Sequence, residues 1–159
     1  MALLTRLAAL AALAATPAAA HVVADPAEAK AGAYQVVRFR VGHGCDGQAT
    51  TRLSIAIPPG MPAARPQPKP GWKLSIVREG AAVSAITWEG ELPEGQFDEF
   101  AVMFRLPAEA GELTFPVTQT CGSAQVLWDQ RPSGPDRPPR PAPTLRLTPA
   151  AAGGHHHSH

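Results

Sequence analysis

Short runs in which apolar and polar residues alternate recur along this chain, with proline and glycine between them. The clearest run is 34–41, where Val37, Phe39 and Val41 fall on one face. An alternation with a period of two residues is typical of half-buried β-strands. Strands are therefore predicted at 34–41, 50–57, 72–78, 83–88, 97–106, 113–121, 125–129 and 144–147.

Proline is unusually frequent and limits what lies between these strands. Its 18 copies are concentrated at 58–70 and 132–143. Since proline cannot donate to a sheet ladder, both clusters are predicted to form loops or sheet edges. No segment shows a sustained helical period, so helices should be minor. Evenly spaced short strands predict an all-β fold, specifically an antiparallel β-sandwich.

The first twenty residues have the features of a secretory signal peptide. Arg6 is followed by an apolar stretch that is too short to anchor the chain in a bilayer, and three alanines end at Ala20. Cleavage after Ala20 would make His21 the first residue of the mature protein. We therefore expect an exported, soluble protein in the periplasm or outside the cell.

The predicted organisation is a signal peptide at 1–20, one sandwich domain at 21–147 and a flexible histidine-rich tail at 148–159. Four of the six histidines lie in that tail, which we interpret as native and weakly metal-binding rather than as a purification tag. Removing the signal peptide leaves equal numbers of basic and acidic residues. A nucleic-acid partner is not expected, because no basic stripe is present.

Two cysteines, Cys45 and Cys121, are present. An even number in an oxidising compartment favours a disulfide, which would stabilise the fold by about 4 kcal/mol through closure of a long loop. The alternative is a metal site with two thiolate ligands. Neither cysteine belongs to a CxxC pair, which favours the disulfide.

His21 is the first candidate metal ligand. An N-terminal histidine offers its α-amine and its imidazole to the same ion. Copper(II) is at the top of the divalent affinity series and favours nitrogen and oxygen ligands. The alternative is that His21 is an ordinary residue that happens to follow the cleavage site.

A glycine-flanked loop at 42–47 supplies two more candidates, His43 and Asp46. Pairing of Cys45 would hold this loop in place and with it the carboxylate of Asp46. The alternative for Asp46 is a purely conformational role in a turn before Gly47.

Eight segments match one known family in order and spacing: 21–26, 41–47, 50–53, 57–60, 69–72, 86–88, 97–100 and 115–120. Together they resemble the YcnI-like copper-binding family over nearly all of 21–147. The resemblance implies an extracytoplasmic β-sandwich similar to fibronectin III or cupredoxin-like domains. It also implies a mononuclear Cu(II) site, the monohistidine brace, in which the N-terminal amine and imidazole bind copper beside a glutamate and a tryptophan.

The family's site residues transfer to this chain only in part. His21 matches the brace histidine, and Trp128 matches the tryptophan. No glutamate is present between 41 and 47, where the family's glutamate should lie, so Asp46 is the nearest carboxylate and His43 a competing ligand. Trp128 could equally belong to the core, which is the role expected of the other two tryptophans.

The predicted function is exported Cu(II) binding for sequestration, delivery or handover, without enzymatic activity. The expected partners are the copper ion and, beyond it, periplasmic copper chaperones or copper transporters of the membrane. One alternative is a copper-dependent monooxygenase with His43 as the second imidazole. A second alternative is a sandwich that binds a ligand other than a metal.

Overall fold

A computed structural model describes residues 21–131, 135 and 138–150 of the chain. Within these ranges the chain forms twelve β-strands and no helix, so no helix there could cross a membrane. The predicted signal peptide and the tail from 151 onward lie outside the described residues. The strands are β1 (Val22–Asp25), β2 (Glu28–Lys30), β3 (Tyr34–Val41), β4 (Thr50–Ala56), β5 (Ala63–Pro66), β6 (Lys73–Glu79), β7 (Ala82–Leu92), β8 (Asp98–Arg105), β9 (Gly111–Thr114), β10 (Val117–Cys121), β11 (Ala124–Trp128) and β12 (Thr144–Thr148).

The strands assemble into three sheets. A four-stranded sheet has the order β1-β3-β8-β5, and a five-stranded sheet has the order β11-β10-β4-β7-β6. These two form the sandwich, and a smaller sheet of β2, β12 and β9 adds to it. Pairing is antiparallel except between β2 and β12, which run parallel. The prediction of an all-β sandwich is confirmed, with this one parallel pair as a difference.

The core lies between the two larger sheets and is built by the alternating positions of their strands. Phe39 of β3 meets Phe115 edge to face, with ring centroids 5.2 Å apart. Phe100 of β8 meets Trp88 of β7 at 5.5 Å in the same manner. Edge-to-face contacts of this kind add to the free energy gained by burying the rings. Trp88 is fully buried as predicted, whereas Trp72 is half-buried at the edge of the core.

The prediction of one continuous strand at 113–121 is wrong. The run 113–121 is divided between β9 and β10, which belong to different sheets. The chain crosses over at Phe115 and Pro116, where the phenyl ring enters the core and proline has no N–H to donate. The alternation continues across this break, which is why the pattern suggested one strand.

Three short strands were not predicted, namely β1, β2 and β5. Each has three or four residues, too few for an alternation to be recognised. β5 lies in the first proline cluster and is an edge strand of its sheet, as proline requires. The second cluster is described only in part, with a bridge between Gln130 and Pro141. β12 ends at Thr148, one residue beyond the predicted domain boundary.

Candidate metal site

The two sheet edges on one side of the sandwich bring His21 and Trp128 together. β1 is an edge strand of the four-stranded sheet, and β11 is an edge strand of the five-stranded sheet. His21 directly precedes β1, and Trp128 is the last residue of β11. Their ring centroids lie 5.8 Å apart, with the ring planes tilted by 48°. Two residues from opposite ends of the chain therefore face each other.

Trp128 belongs both to the core and to this site. Its side chain is only 5% exposed and forms part of the buried apolar cluster. Its indole Nε1 donates a hydrogen bond to Oε1 of Gln119 at 3.1 Å. The two roles considered from the sequence are thus compatible, because the ring is buried in the core and also lies beside the ring of His21.

The loop that follows β3 begins beside His21. Val22 pairs with Val41 in the β1–β3 ladder, so His21 and Gly42 lie one residue beyond this pair. Gly44 donates its N–H to Glu94 O at 3.0 Å. A Cβ on Gly44 would lie 1.9 Å from the carbonyl oxygen of Gln48, so only glycine fits there. This close packing determines the path of the loop.

Cys45 and Cys121 form the predicted disulfide, with their Cα atoms 5.6 Å apart. The alternative of a two-thiolate metal site is wrong, because both sulfur atoms are used in the bond. The bridge joins the loop after β3 to the end of β10. The candidate ligands of the loop are thereby tied covalently to the five-stranded sheet.

Asp46 occupies a tight turn within this loop. Cys45 and Gln48 exchange backbone hydrogen bonds of 3.2 and 3.0 Å around it. Asp46 and Gly47 both have positive φ, 54° and 68°, as the two central residues of a type I′ turn require. Its side chain is exposed. The conformational role considered for Asp46 is therefore sufficient to explain an Asp-Gly pair here, independent of any ligand role.

His43 is half-buried and hydrogen-bonded within the loop. Its Nδ1 lies 2.6 Å from the carbonyl oxygen of Gly44, which can only accept, so the ring donates there. Metal-binding histidines commonly donate one ring N–H to a carbonyl in this manner. The contact is consistent with His43 as the competitor of Asp46 for the second ligand position.

Among the described residues, no group of three or more histidine, cysteine, aspartate or glutamate side chains could hold a metal ion. A brace does not need such a group, because one N-terminal histidine supplies two nitrogen donors. A single further side chain completes it. The disulfide-bonded loop that begins beside His21 carries one imidazole, His43, and one carboxylate, Asp46, but the three residues do not form a preassembled three-ligand cluster.

Sequence reasoning did not identify Gln119 as part of this site. The amide is fully buried, and Nε2 donates to His43 O at 3.0 Å and to Thr50 Oγ1 at 2.8 Å. The sequence pattern of β10 could have indicated this role of Gln119. Val117, Gln119 and Cys121 occupy the inward positions of β10, and a glutamine on a buried face needs specific partners.

Comparisons with known proteins agree with this architecture. The "Copper-binding protein CutI" of Bacillus subtilis is 31% identical over 106 residues, which cover 65% of this chain and 52% of that protein. The match thus spans about half the length of this curated relative. A solved structure of an uncharacterized protein from Nocardia farcinica, described as having an immunoglobulin-like fold, is 35% identical. It superposes with a TM-score of 0.70 and covers 80% of this chain and 97% of its own.

The family described as "Domain of unknown function (DUF1775)" matches residues 21–147. This range begins at His21 and ends within β12, which is the extent of the resemblance found from the motifs. This match and the relative CutI together confirm the YcnI-like family predicted from the motifs. The chain belongs to the DUF1775 family.

Proposed function

We propose that the protein is exported, is cleaved after Ala20 and binds one Cu(II) ion through the N-terminal brace of His21. The observation that carries the proposal is the contact between the rings of His21 and Trp128 at 5.8 Å. The name of the copper-binding relative CutI supports the choice of metal. The protein would hold copper for sequestration, delivery or handover to copper chaperones or membrane transporters.

The donor chemistry supports Cu(II) in particular. The amine and imidazole of one residue form a nitrogen chelate, and Cu(II) binds nitrogen and oxygen ligands more tightly than the other common divalent metals do. Trp128 offers no lone pair from its indole nitrogen, which is a donor only. Its proposed role is to cover one side of the ion and restrict the approach of water.

The second ligand is proposed to be the carboxylate of Asp46. A single chelating residue and one carboxylate leave open positions on the ion, which suits a protein that must release its copper. We therefore propose a binding protein rather than an enzyme. His43 is the specific alternative, because a second imidazole would create the nitrogen-rich environment expected of an oxygen-activating copper site.

Calorimetric titration with Cu(II) tests the central proposal. The mature protein should bind one ion tightly, and His21→Ala should weaken this binding because the imidazole donor is lost. The tail histidines offer a second, weaker site, so the chain ending at Ala150 is titrated in parallel. Tight binding that survives His21→Ala in the shortened chain would show that the copper lies elsewhere.

Comparison of two loop variants by EPR of the Cu(II) form identifies the second ligand. Asp46→Asn is preferred to alanine because asparagine also tolerates positive φ and so preserves the turn while removing the carboxylate. It should change the copper hyperfine pattern, whereas His43→Ala should not. Glu94→Gln is the matched control, since the loop bonds to the backbone carbonyl of Glu94, which this variant retains. A change confined to His43→Ala would favour the monooxygenase alternative.

A further inference from the structure

We infer that Gln119 is the positioning residue of the proposed copper site. Its side chain holds the indole of Trp128 on one side and the peptide of His43 on the other. The inference rests on the proposed function and extends it to a residue that is not itself a ligand. Gln119 would act by setting the orientation of the groups around His21.

The chemistry of its partners allows only one orientation of the Gln119 amide. The indole nitrogen of Trp128 is a donor only, so it must face the amide oxygen. The carbonyl oxygen of His43 is an acceptor only, so it must face the amide nitrogen. The remaining N–H of that nitrogen is donated to Thr50 Oγ1 at 2.8 Å. Every donor of the amide is used, and reversing it would set donor against donor at Trp128 and acceptor against acceptor at His43.

This network joins the two sides of the site. Trp128 belongs to β11 and contacts the His21 ring, while His43 belongs to the loop that begins beside His21. Rotation of the indole would leave a buried N–H and a buried amide oxygen without partners, which is strongly unfavourable. The orientation of the ring toward His21 is therefore coupled to the position of the His43 peptide through a single amide.

The strand that carries Gln119 is held firmly in the fold. Gln119 lies in β10 between two neighbouring strands, and Cys121 of the same strand carries the disulfide to Cys45. The Thr50 hydroxyl, which accepts from Gln119, also lies 3.7 Å from the Cys121 sulfur. The loop is thus attached to β10 by an amide hydrogen bond at His43 and by a covalent bond at Cys45, directly before the turn at Asp46 and Gly47.

A polar pair elsewhere in the five-stranded sheet provides a comparison for the Gln119 network. Ser54 of β4 and Thr87 of β7 share a hydrogen bond of 2.9 Å between their hydroxyls. Thr87 is 5% exposed, so its side chain is buried as that of Gln119 is, while Ser54 is half-buried. It bonds neither to the loop nor to Trp128. It therefore offers a matched control for the effect of losing a buried polar side chain.

The test compares Gln119→Met with Thr87→Val in two measurements. Gln119→Met keeps the length of the side chain and removes its hydrogen bonds. It should weaken Cu(II) binding by up to about 10-fold, the lower end of the loss seen when a group bonded directly to a metal ligand is removed, because Gln119 acts one step further from the ion. It should also change the Cu(II) EPR spectrum. Thr87→Val should lower the melting temperature without altering either the affinity or the spectrum. Equal copper binding in the two variants would overturn the inference.

A metal-free measurement on the wild type keeps the inference testable should Gln119→Met fail to fold. The indole N–H of Trp128, assigned by NMR with Trp128→Phe, should exchange with solvent as slowly as that of Trp88, which donates to Gln67 O at 3.2 Å. Fast exchange would overturn the role of Gln119 even where copper binds tightly. Slow exchange in a wild type that binds no Cu(II) would instead overturn the proposed function, and the positioning role with it.

Discussion

One alanine added before His21 is expected to weaken Cu(II) binding by more than about 100-fold. Loss of a group that merely orients a metal ligand costs about 10–100-fold in affinity, and here a ligand itself is lost. The extension converts the α-amine into a peptide nitrogen, which no longer forms the chelate with the imidazole. A precursor with residues 1–20 still attached should show the same loss. Copper binding would then depend on cleavage after Ala20.

Calorimetric titration of the extended chain ending at Ala150 measures this effect without the tail histidines. Folding should be unaffected, since β1 begins at Val22 and the added residue lies outside it. The control carries the extra alanine at the C-terminus and should bind copper as the unextended chain does. Equal affinities for all three proteins, with the same Cu(II) EPR spectrum, would exclude the brace.

Replacing both cysteines by alanine is expected to lower the free energy of unfolding by about 4 kcal/mol, the value predicted by the chain-entropy model for a bridge between residues 76 apart. For a domain of this size the melting temperature should fall by roughly 10–15 °C. Alanine is chosen because Cys121 is fully buried and a serine hydroxyl there would add an unrelated cost. Copper affinity should fall too, since the loop of His43 loses its covalent attachment.

Thermal and urea unfolding of the oxidised protein, the double variant Cys45→Ala/Cys121→Ala and the dithiol-reduced protein measure this effect. The reduced protein should resemble the double variant. The oxidised protein should be two hydrogen masses lighter than the reduced form by mass spectrometry. Free thiols in protein isolated from the periplasm, or equal stability of all three samples, would contradict a stabilising bridge.

Strand alternation was sufficient to predict the fold class because each strand must present one face to the core. β3 was predicted with both ends correct, and its buried face was identified through Val37, Phe39 and Val41. The division between β9 and β10 was missed, because a change of sheet at Phe115 does not interrupt the alternation. Strands of three or four residues contain too few positions to be recognised.

The sequence by itself determined the all-β architecture, the resemblance to the YcnI-like family and the pairing of Cys45 with Cys121. These depend on local alternation, on the order of motifs and on the number of cysteines. Only the tertiary structure decided that His21 contacts Trp128, that Asp46 occupies a type I′ turn and that Gln119 joins the indole to the loop. These contacts arise where edge strands of two different sheets meet, and hydrogen bonding between distant strands leaves no periodic pattern in the sequence.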